Sequence, residues 1–274
     1  MRSRAHPREE QRADDAEDRA RQPRGEFILG EVGRGGYYLF DIGRGLREPG
    51  TWGRELVRQL YSIGVGSIPL VVVVAAFLGG VTAFQTFYQL FAGVQNSVVG
   101  LIARQSIVLE LGPLLTALTL TGRVGARMTA EIGTMRVTEQ IDALETLAYD
   151  PIAYLAVPRL LASLVMIPTL TMIANATAIA SAWLVLVLAT PVTTAEYVEG
   201  LRLAFTPFQV VYSLIKAFAY GGAIASVCSY QGYVADAGAE GVGRATAKAV
   251  VITSITILVL DGVIAAMFAS LIQA

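Results

Sequence analysis

Apolar and polar positions in this chain are segregated into long blocks. From Ser62 to Ala103 no charged residue occurs, and none occurs from Leu160 to Ala195. About 20 apolar residues cross a bilayer core, so both runs contain membrane spans. Neither run alternates with period two. The spans are therefore helices, which satisfy their own backbone hydrogen bonds, and not barrel strands. The pattern predicts five spans, at about 63–90, 98–122, 158–189, 208–235 and 247–272. The expected fold class is an all-α integral membrane protein with an N-terminal interfacial helix region, 27–60. In that region Leu29, Val32, Leu39, Ile42 and Leu46 recur at three- and four-residue steps, and Arg34, Arg44, Arg47, Arg54 and Arg58 take other positions. A soluble helical hairpin has the same pattern. The span that follows at once favours a helix in the membrane interface, its Arg side chains toward headgroups.

Span two is interrupted by Arg104 and Glu110 and is expected to bend near Pro113. Asp150-Pro151 is an N-cap with Pro at the first helical position, which starts the next helix. Residues 191–207 read as a short polar connection with Glu196, Glu199 and Arg202, and 236–244 as a Gly-rich loop. Between spans two and three lies a polar block, RVGARMTAEIGTMRVTEQIDALETLAYD, from Arg123 to Asp150. Its carboxylates alternate with basic residues, so it must lie in water. Val137, Ile141, Leu144 and Ala148 form one apolar stripe; Met128, Ile132 and Met135 form another, out of phase. The phase change predicts a helix bent or broken near Gly133–Arg136, resting partly on the membrane.

Composition agrees with this reading: 54% of residues are hydrophobic, above the ~45–50% of soluble domains, and mean hydropathy is +0.55. Five spans place the termini on opposite sides. Basic residues concentrate before Arg58, in the polar block and from Asp236 to Lys248. The positive-inside rule therefore puts those regions and the N-terminus in the cytoplasm, and the C-terminus outside. Residues 1–26 carry mixed charge and almost no large apolar residue; they read as a disordered cytoplasmic tail, with partner binding as the alternative. Residues 27–274 read as one integral domain.

Several chemistries are excluded. Cys228 is the only cysteine and His6 the only histidine, so no His/Cys metal cluster and no Ser/His/Asp or Cys/His triad can form. No P-loop motif occurs, and the only lysines are Lys216 and Lys248. No catalytic residue, metal ligand, resident cofactor or nucleic-acid partner is expected. Three charges do fall inside apolar segments: Glu110, Lys216 and Asp261. Intramembrane charges are costly and by default functional. Lys216 is free on sequence grounds to meet a lipid phosphate or a carboxylate, either Glu110 or Asp261. A purely structural ion pair is the bland alternative, with Arg104 a second possible partner for Glu110. Arg244 and Lys248 are headgroup or partner contacts, or ordinary positive-inside anchors. Gly79-Gly80 and Gly221-Gly222 permit close helix contact.

The stretch ELGPLLTAL…GRVGARMTAEIGTMRVTEQIDALETLAYDP resembles the signature of the MlaE/YrbE-type permeases, membrane subunits of ABC lipid transporters that work with MCE-domain proteins. VRQLYSIGV (57–65), PRLLASLVMIP (158–168), SLIKAF (213–218) and GVGRATAKAVV (241–251) extend the resemblance in matching order. It covers the chain from about Gly33 onward. It implies a homodimeric permease of the bacterial inner membrane, C-terminus in the periplasm, moving phospholipids or related lipids between that membrane and a periplasmic MCE-protein channel. A separate cytoplasmic ABC ATPase would bind ATP and Mg and do the hydrolysis. Some members add a STAS-type accessory subunit. On this resemblance the polar block, 123–150, is the coupling helix region, with Glu131, Gly133, Met135, Arg136, Glu139 and Glu145 in the coupling motif. Apart from the resemblance, the intramembrane charges and the proline bend assign Glu110, Pro113 and Lys216 to a substrate cavity, and the resemblance strengthens that reading for Glu110. Leu109 departs from the basic residue that often precedes this Glu in the family. An ion-coupled secondary transporter using Glu110, Lys216 and Asp261 is the alternative function. It leaves the long polar block unexplained.

Overall fold

The structure, a computed structural model, describes residues 33, 36–38, 40–46, 49–91 and 93–272. The expected tail, 1–26, lies outside the described residues, as do Leu29, Val32, Arg34, Leu39 and Arg47 of the expected interfacial region. The described residues are mainly helical, without strands. We number the helices α1 (Pro49–Ile63), α2 (Ile68–Gln89), α3 (Ser97–Gln105), α4 (Gly112–Leu120), α5 (Ala126–Val137), α6 (Gln140–Thr146), α7 (Pro151–Ala189), α8 (Thr194–Arg202), α9 (Pro207–Tyr233) and α10 (Ala239–Ile272). Among the described residues, five continuous helical stretches are long and apolar enough to cross a membrane: Trp52–Gln89, Ser97–Val137, Pro151–Ala189, Pro207–Tyr233 and Ala239–Phe268. The protein is an all-α, multi-pass membrane protein.

The central helix is α7, against which α1, α2, α4 and α9 pack; α10 packs on α9 and α5. Its start is fixed locally. Asp150 Oδ1 accepts the backbone N–H of Ile152 at 2.9 Å and of Ala153 at 3.4 Å. Pro151 at the first position lacks the N–H that would otherwise be orphaned. Two glycines set the spacing. Gly79 of α2 lies directly against the Ala178 carbonyl of α7, and a Cβ on Gly221 of α9 would meet the Ser163 carbonyl at 2.8 Å. Small residues let membrane helices approach this closely. Both pairs expected from sequence are thus seams within the chain.

Expectations are corrected in three regions of the chain. Span two does not end at Gly122: one continuous helix of 41 residues runs from Ser97 to Val137. At about 1.5 Å per residue it is roughly 60 Å long, twice the bilayer core, so its end protrudes into water. Two wide π-helical turns, Ser106–Leu111 and Thr121–Gly125, carry it past its polar residues. The helix breaks at Thr138–Glu139, where Glu139 takes a left-handed conformation (φ 59°), and not near Gly133–Arg136. Gly133 packs against Val242 and Ala235, so its missing side chain serves close contact and not a hinge. Second, 191–207 contains α8. Thr193 and Glu196 cap it reciprocally, the Glu196 carboxylate accepting the Thr193 N–H at 2.7 Å. Third, the Gly-rich loop is shorter than expected, because α10 already begins at Ala239. The Arg244–Glu240 ion pair, 2.8 Å and one turn apart, and the packing of Val242 on Gly133 offset the low helix propensity of Gly241 and Gly243.

The region expected to be interfacial is described in part. Of its residues, α1 follows the expected amphipathic pattern and ends at a one-turn 3₁₀ segment, Val65–Ser67, before α2. Tyr38 and Ile42 are buried against Ala156 and Val157 of α7.

Candidate functional site

The three intramembrane charges meet. Lys216 of α9 is fully buried. Its Nζ lies 2.5 Å from Glu110 Oε2 and 2.6 Å from Asp261 Oδ1. It also donates to the backbone carbonyl of Leu109 at 3.2 Å. An ammonium has three N–H donors and no acceptor, so these three partners saturate it. The Tyr212 ring lies 5.1 Å from Nζ, and the Tyr220 hydroxyl donates to Asp261 Oδ1. Tyr212, Lys216 and Tyr220 sit at i, i+4 and i+8, one face of α9.

The geometry separates the roles. Lys216 holds α9, α10 and the π turn of span two together, and its donors leave none for a lipid phosphate. Glu110 differs: its side chain is 45% exposed on the flank of the bundle. Pro113 is buried and has no N–H to give to the Leu109 carbonyl, which is how that carbonyl becomes available to Lys216. The set Glu110–Lys216–Asp261 carries one negative charge in excess if both acids are ionised, and its open edge is the Glu110 carboxylate. It can accept hydrogen bonds from, or pair with, a donor-rich or cationic group arriving from outside the chain.

Arg104 is not part of this set. It is buried, donating to Gln209 Oε1, to the Leu203 carbonyl at 3.0 Å and to the Ala204 carbonyl at 3.4 Å. It thereby anchors the chain between α8 and α9.

The polar-block residues divide between two surroundings. Glu131 and Gly133 belong to the packed end of the bundle. Glu131 receives Arg127 Nε at 2.7 Å and Arg159 Nη2 at 3.3 Å, and Gly133 faces α10. Met135 packs beside Ile132, Ile141 and Leu155. Arg136, Glu139 and Glu145 are exposed around the α5–α6 elbow. There Arg136 Nη1 binds Asp142 Oδ1 at 2.8 Å across the break. Arg136 also sits 5.9 Å from the Tyr233 ring centroid. The result is a short helix, α6, held at a set angle with its charged face outward. Arg244 pairs with Glu240 and, at 3.7 Å, with Asp236, and Lys248 lies one turn on.

Residues 56–267 match the family described as Permease MlaE. The chain belongs to that family. A probable ABC transporter permease protein of Rickettsia conorii is 39% identical over 213 residues, covering 78% of this chain and 82% of that protein. The intermembrane phospholipid transport system permease protein MlaE of Haemophilus influenzae is 30% identical over 236 residues, 86% of this chain and 90% of that one. The chloroplastic protein TRIGALACTOSYLDIACYLGLYCEROL 1 of Arabidopsis thaliana is 31% identical over 217 residues, 78% of this permease and 61% of the plant protein.

Sequence reasoning did not single out Arg159, Gln209, Tyr212 or Tyr220. For the two tyrosines a signal existed: they flank Lys216 at helical spacing on an apolar span. Arg159 gave a weaker one, a charge directly after Pro158 inside the run that becomes α7.

Proposed function

We propose that this MlaE-family chain is the permease subunit of an ATP-driven transporter that moves phospholipids between the inner membrane and a periplasmic MCE-domain protein. The observation that carries the reading is Glu110: an intramembrane carboxylate, fixed by Lys216, left open on the flank of an apolar bundle. A wall facing it must come from outside the single chain. A second copy of the chain supplies that wall, so the working unit is a homodimer with a cavity between two Glu110 carboxylates. The name of the Haemophilus relative supports phospholipid as cargo. The N-terminal region, the α5–α6 elbow and the start of α10 face the cytoplasm, and the C-terminus faces the periplasm.

In this reading α6 is the coupling element. Its length, exposed carboxylates and fixed elbow suit insertion into a groove of a cytoplasmic ATPase, where rim charges set register. ATP and Mg are bound by that ATPase. Closure of the ATPase pair displaces α6, and the continuous helix above it carries the motion to Glu110. A STAS-type subunit is a further component compatible with the family.

The test is purification of the tagged protein from native membranes in mild detergent, with proteins and lipids identified by mass spectrometry. Recovery of a P-loop ATPase, an MCE-domain protein and bound phospholipid is the expected result. Recovery of the folded chain alone, without lipid, sinks the reading. The meeting of Glu110, Lys216 and Asp261 also fits an ion-coupled secondary transporter. In that case transport persists without any ATPase and follows an imposed proton or sodium gradient.

A further inference from the structure

A polar cavity lies far from Lys216. Glu131, which lines it, is 21 residues beyond Glu110 on the same continuous helix, roughly 30 Å along its axis. The cavity holds about 460 Å³ between α1, α5, α6 and α7. Its charged lining is Arg58, Arg127 and Arg159 against Glu55 and Glu131. Arg123 borders the adjoining cleft.

Arg159 is the decisive residue. It is 2% exposed. Its Nη1 donates to the Leu155 carbonyl at 2.7 Å and its Nη2 to Glu131 at 3.3 Å, but its Nε has no partner among the described residues. Glu131 is shared with Arg127, so one carboxylate serves two guanidiniums. Glu55 is engaged by Gln59 at 2.8 Å and by Arg58 at 3.6 Å. The lining is left with one positive charge in excess and a buried donor unmet. A buried guanidinium is costly unless paired and hydrogen-bonded, and an anion of one or two charges completes the set.

Helix α1 indicates where such an anion comes from. Glu55, Arg58, Gln59 and Ser62 face the cavity at i, i+3, i+4 and i+7. Val57 and Tyr61, on another face of the same helix, are exposed apolar residues. This is the arrangement of an interfacial helix with acyl chains on one side and headgroups on the other. We propose that the cavity binds a phosphoryl group, delivered by the headgroup of a phospholipid in the leaflet where α1 lies. The inference rests on the orientation and cargo proposed above, but it concerns a site separate from Glu110.

The test uses the full chain in nonionic detergent, titrated separately with dihexanoyl phosphatidylglycerol, inorganic phosphate and neutral dihexanoylglycerol. Phosphorus NMR line broadening reports binding of the first two, and thermal melting reports all three. The phospholipid is expected to bind and raise the melting temperature, and the neutral lipid to do neither. Arg58→Ala and Arg127→Ala, both at exposed side chains, are expected to weaken binding about tenfold or more, as loss of a charge-assisted contact does. Arg159→Gln is expected to do the same, and the two exposed variants decide the matter if it fails to fold. Equal binding of inorganic phosphate, lost in the same variants, keeps the phosphoryl site and assigns it to a soluble anion. Unchanged binding in the Arg variants overturns the proposal. So does loss of binding in Glu110→Gln, which would place the phospholipid at the other end of the bundle. Intact phosphoryl binding alongside failed lipid transport separates this site from the transport reading.

Discussion

Lys216 donates to the carbonyl of Leu109 at 3.2 Å, the carbonyl that in a regular helix would receive the amide of residue 113. That residue is Pro113. The proline therefore does more than bend the span: it frees the acceptor that completes the lysine's coordination. Replacing Lys216 by Met leaves Glu110 and Asp261 without their shared cation and the carbonyl without its donor. Removing one partner of a buried charge pair costs about 3–5 kcal/mol. The value here falls toward the lower end, because Glu110 is partly hydrated. Thermal melting in detergent reads the loss. Adding Glu110→Gln and Asp261→Asn to Lys216→Met should recover much of it. No recovery would show that Lys216 stabilises by something other than charge pairing.

Glu110→Gln isolates function from that framework. The side chain keeps its size and can still accept from Lys216, so the melting temperature changes little. Lipid transport by the reconstituted complex should fall about tenfold or more, the size of one lost charge-assisted interaction. A variant that transports normally would make Glu110 structural.

The intramembrane charges were legible in the sequence because each interrupts an apolar run, where a charge stands out without knowledge of its neighbours. Their meeting was open among several pairings, since Lys216 had Glu110, Asp261 and a lipid phosphate as candidates, and only the packing of α9 against α10 and span two selects two carboxylates and a carbonyl at once. Helix continuity through the polar block was not legible. A polar stretch reads as a loop or separate helix, yet Met128, Thr129, Ile132 and Gly133 are buried against α9 and α10. Glu131 entered the coupling motif through the family resemblance; its pairing with Arg159, 28 residues away in sequence, was not legible. Helix α8 carried its capping box, Thr193 to Glu196, in plain view, but a short helix between two prolines is masked by its polarity.

Gly79 and Gly222 offer a matched pair. A methyl at Gly79 would collide with the Ala178 backbone, whereas at Gly222 it would rest 3.6 Å from a Leu164 methyl. Gly79→Ala should therefore destabilise by about 1–3 kcal/mol, the cost of forcing packed helices apart. Gly222→Ala should stabilise by about 0.5–1 kcal/mol through backbone entropy. Chemical denaturation of the two variants in one detergent checks both signs.

Acid sensitivity should include a contribution from the α8 cap. The Glu196 carboxylate accepts the Thr193 N–H and hydroxyl and the Asn96 amide, and these hydrogen bonds hold its pKa below the usual 4.5. A depressed folded pKa stabilises above the unfolded value, and that stability is lost as pH falls through the folded value. The contribution is thus present at pH 5 and above and disappears below 4.5. Glu196→Gln should flatten this part of the melting-temperature profile. An unchanged acid slope would place the sensitivity elsewhere.

The α5–α6 elbow lets strain and charge be tested apart. Glu139 holds a left-handed conformation (φ 59°) at the break and is exposed, as is Glu145. A non-glycine residue pays about 1–2 kcal/mol there, so Glu139→Gly should raise stability by up to that amount. It removes one carboxylate and leaves the angle of α6 intact. Glu139→Arg with Glu145→Arg reverses two charges on the face proposed to enter the ATPase. That double variant should leave the permease folded and in the membrane yet uncouple ATP hydrolysis from lipid transport. If it transports normally, α6 is not the coupling element. If Glu139→Gly uncouples as fully as the double reversal while melting higher, the strained elbow, and not charge register, transmits the stroke.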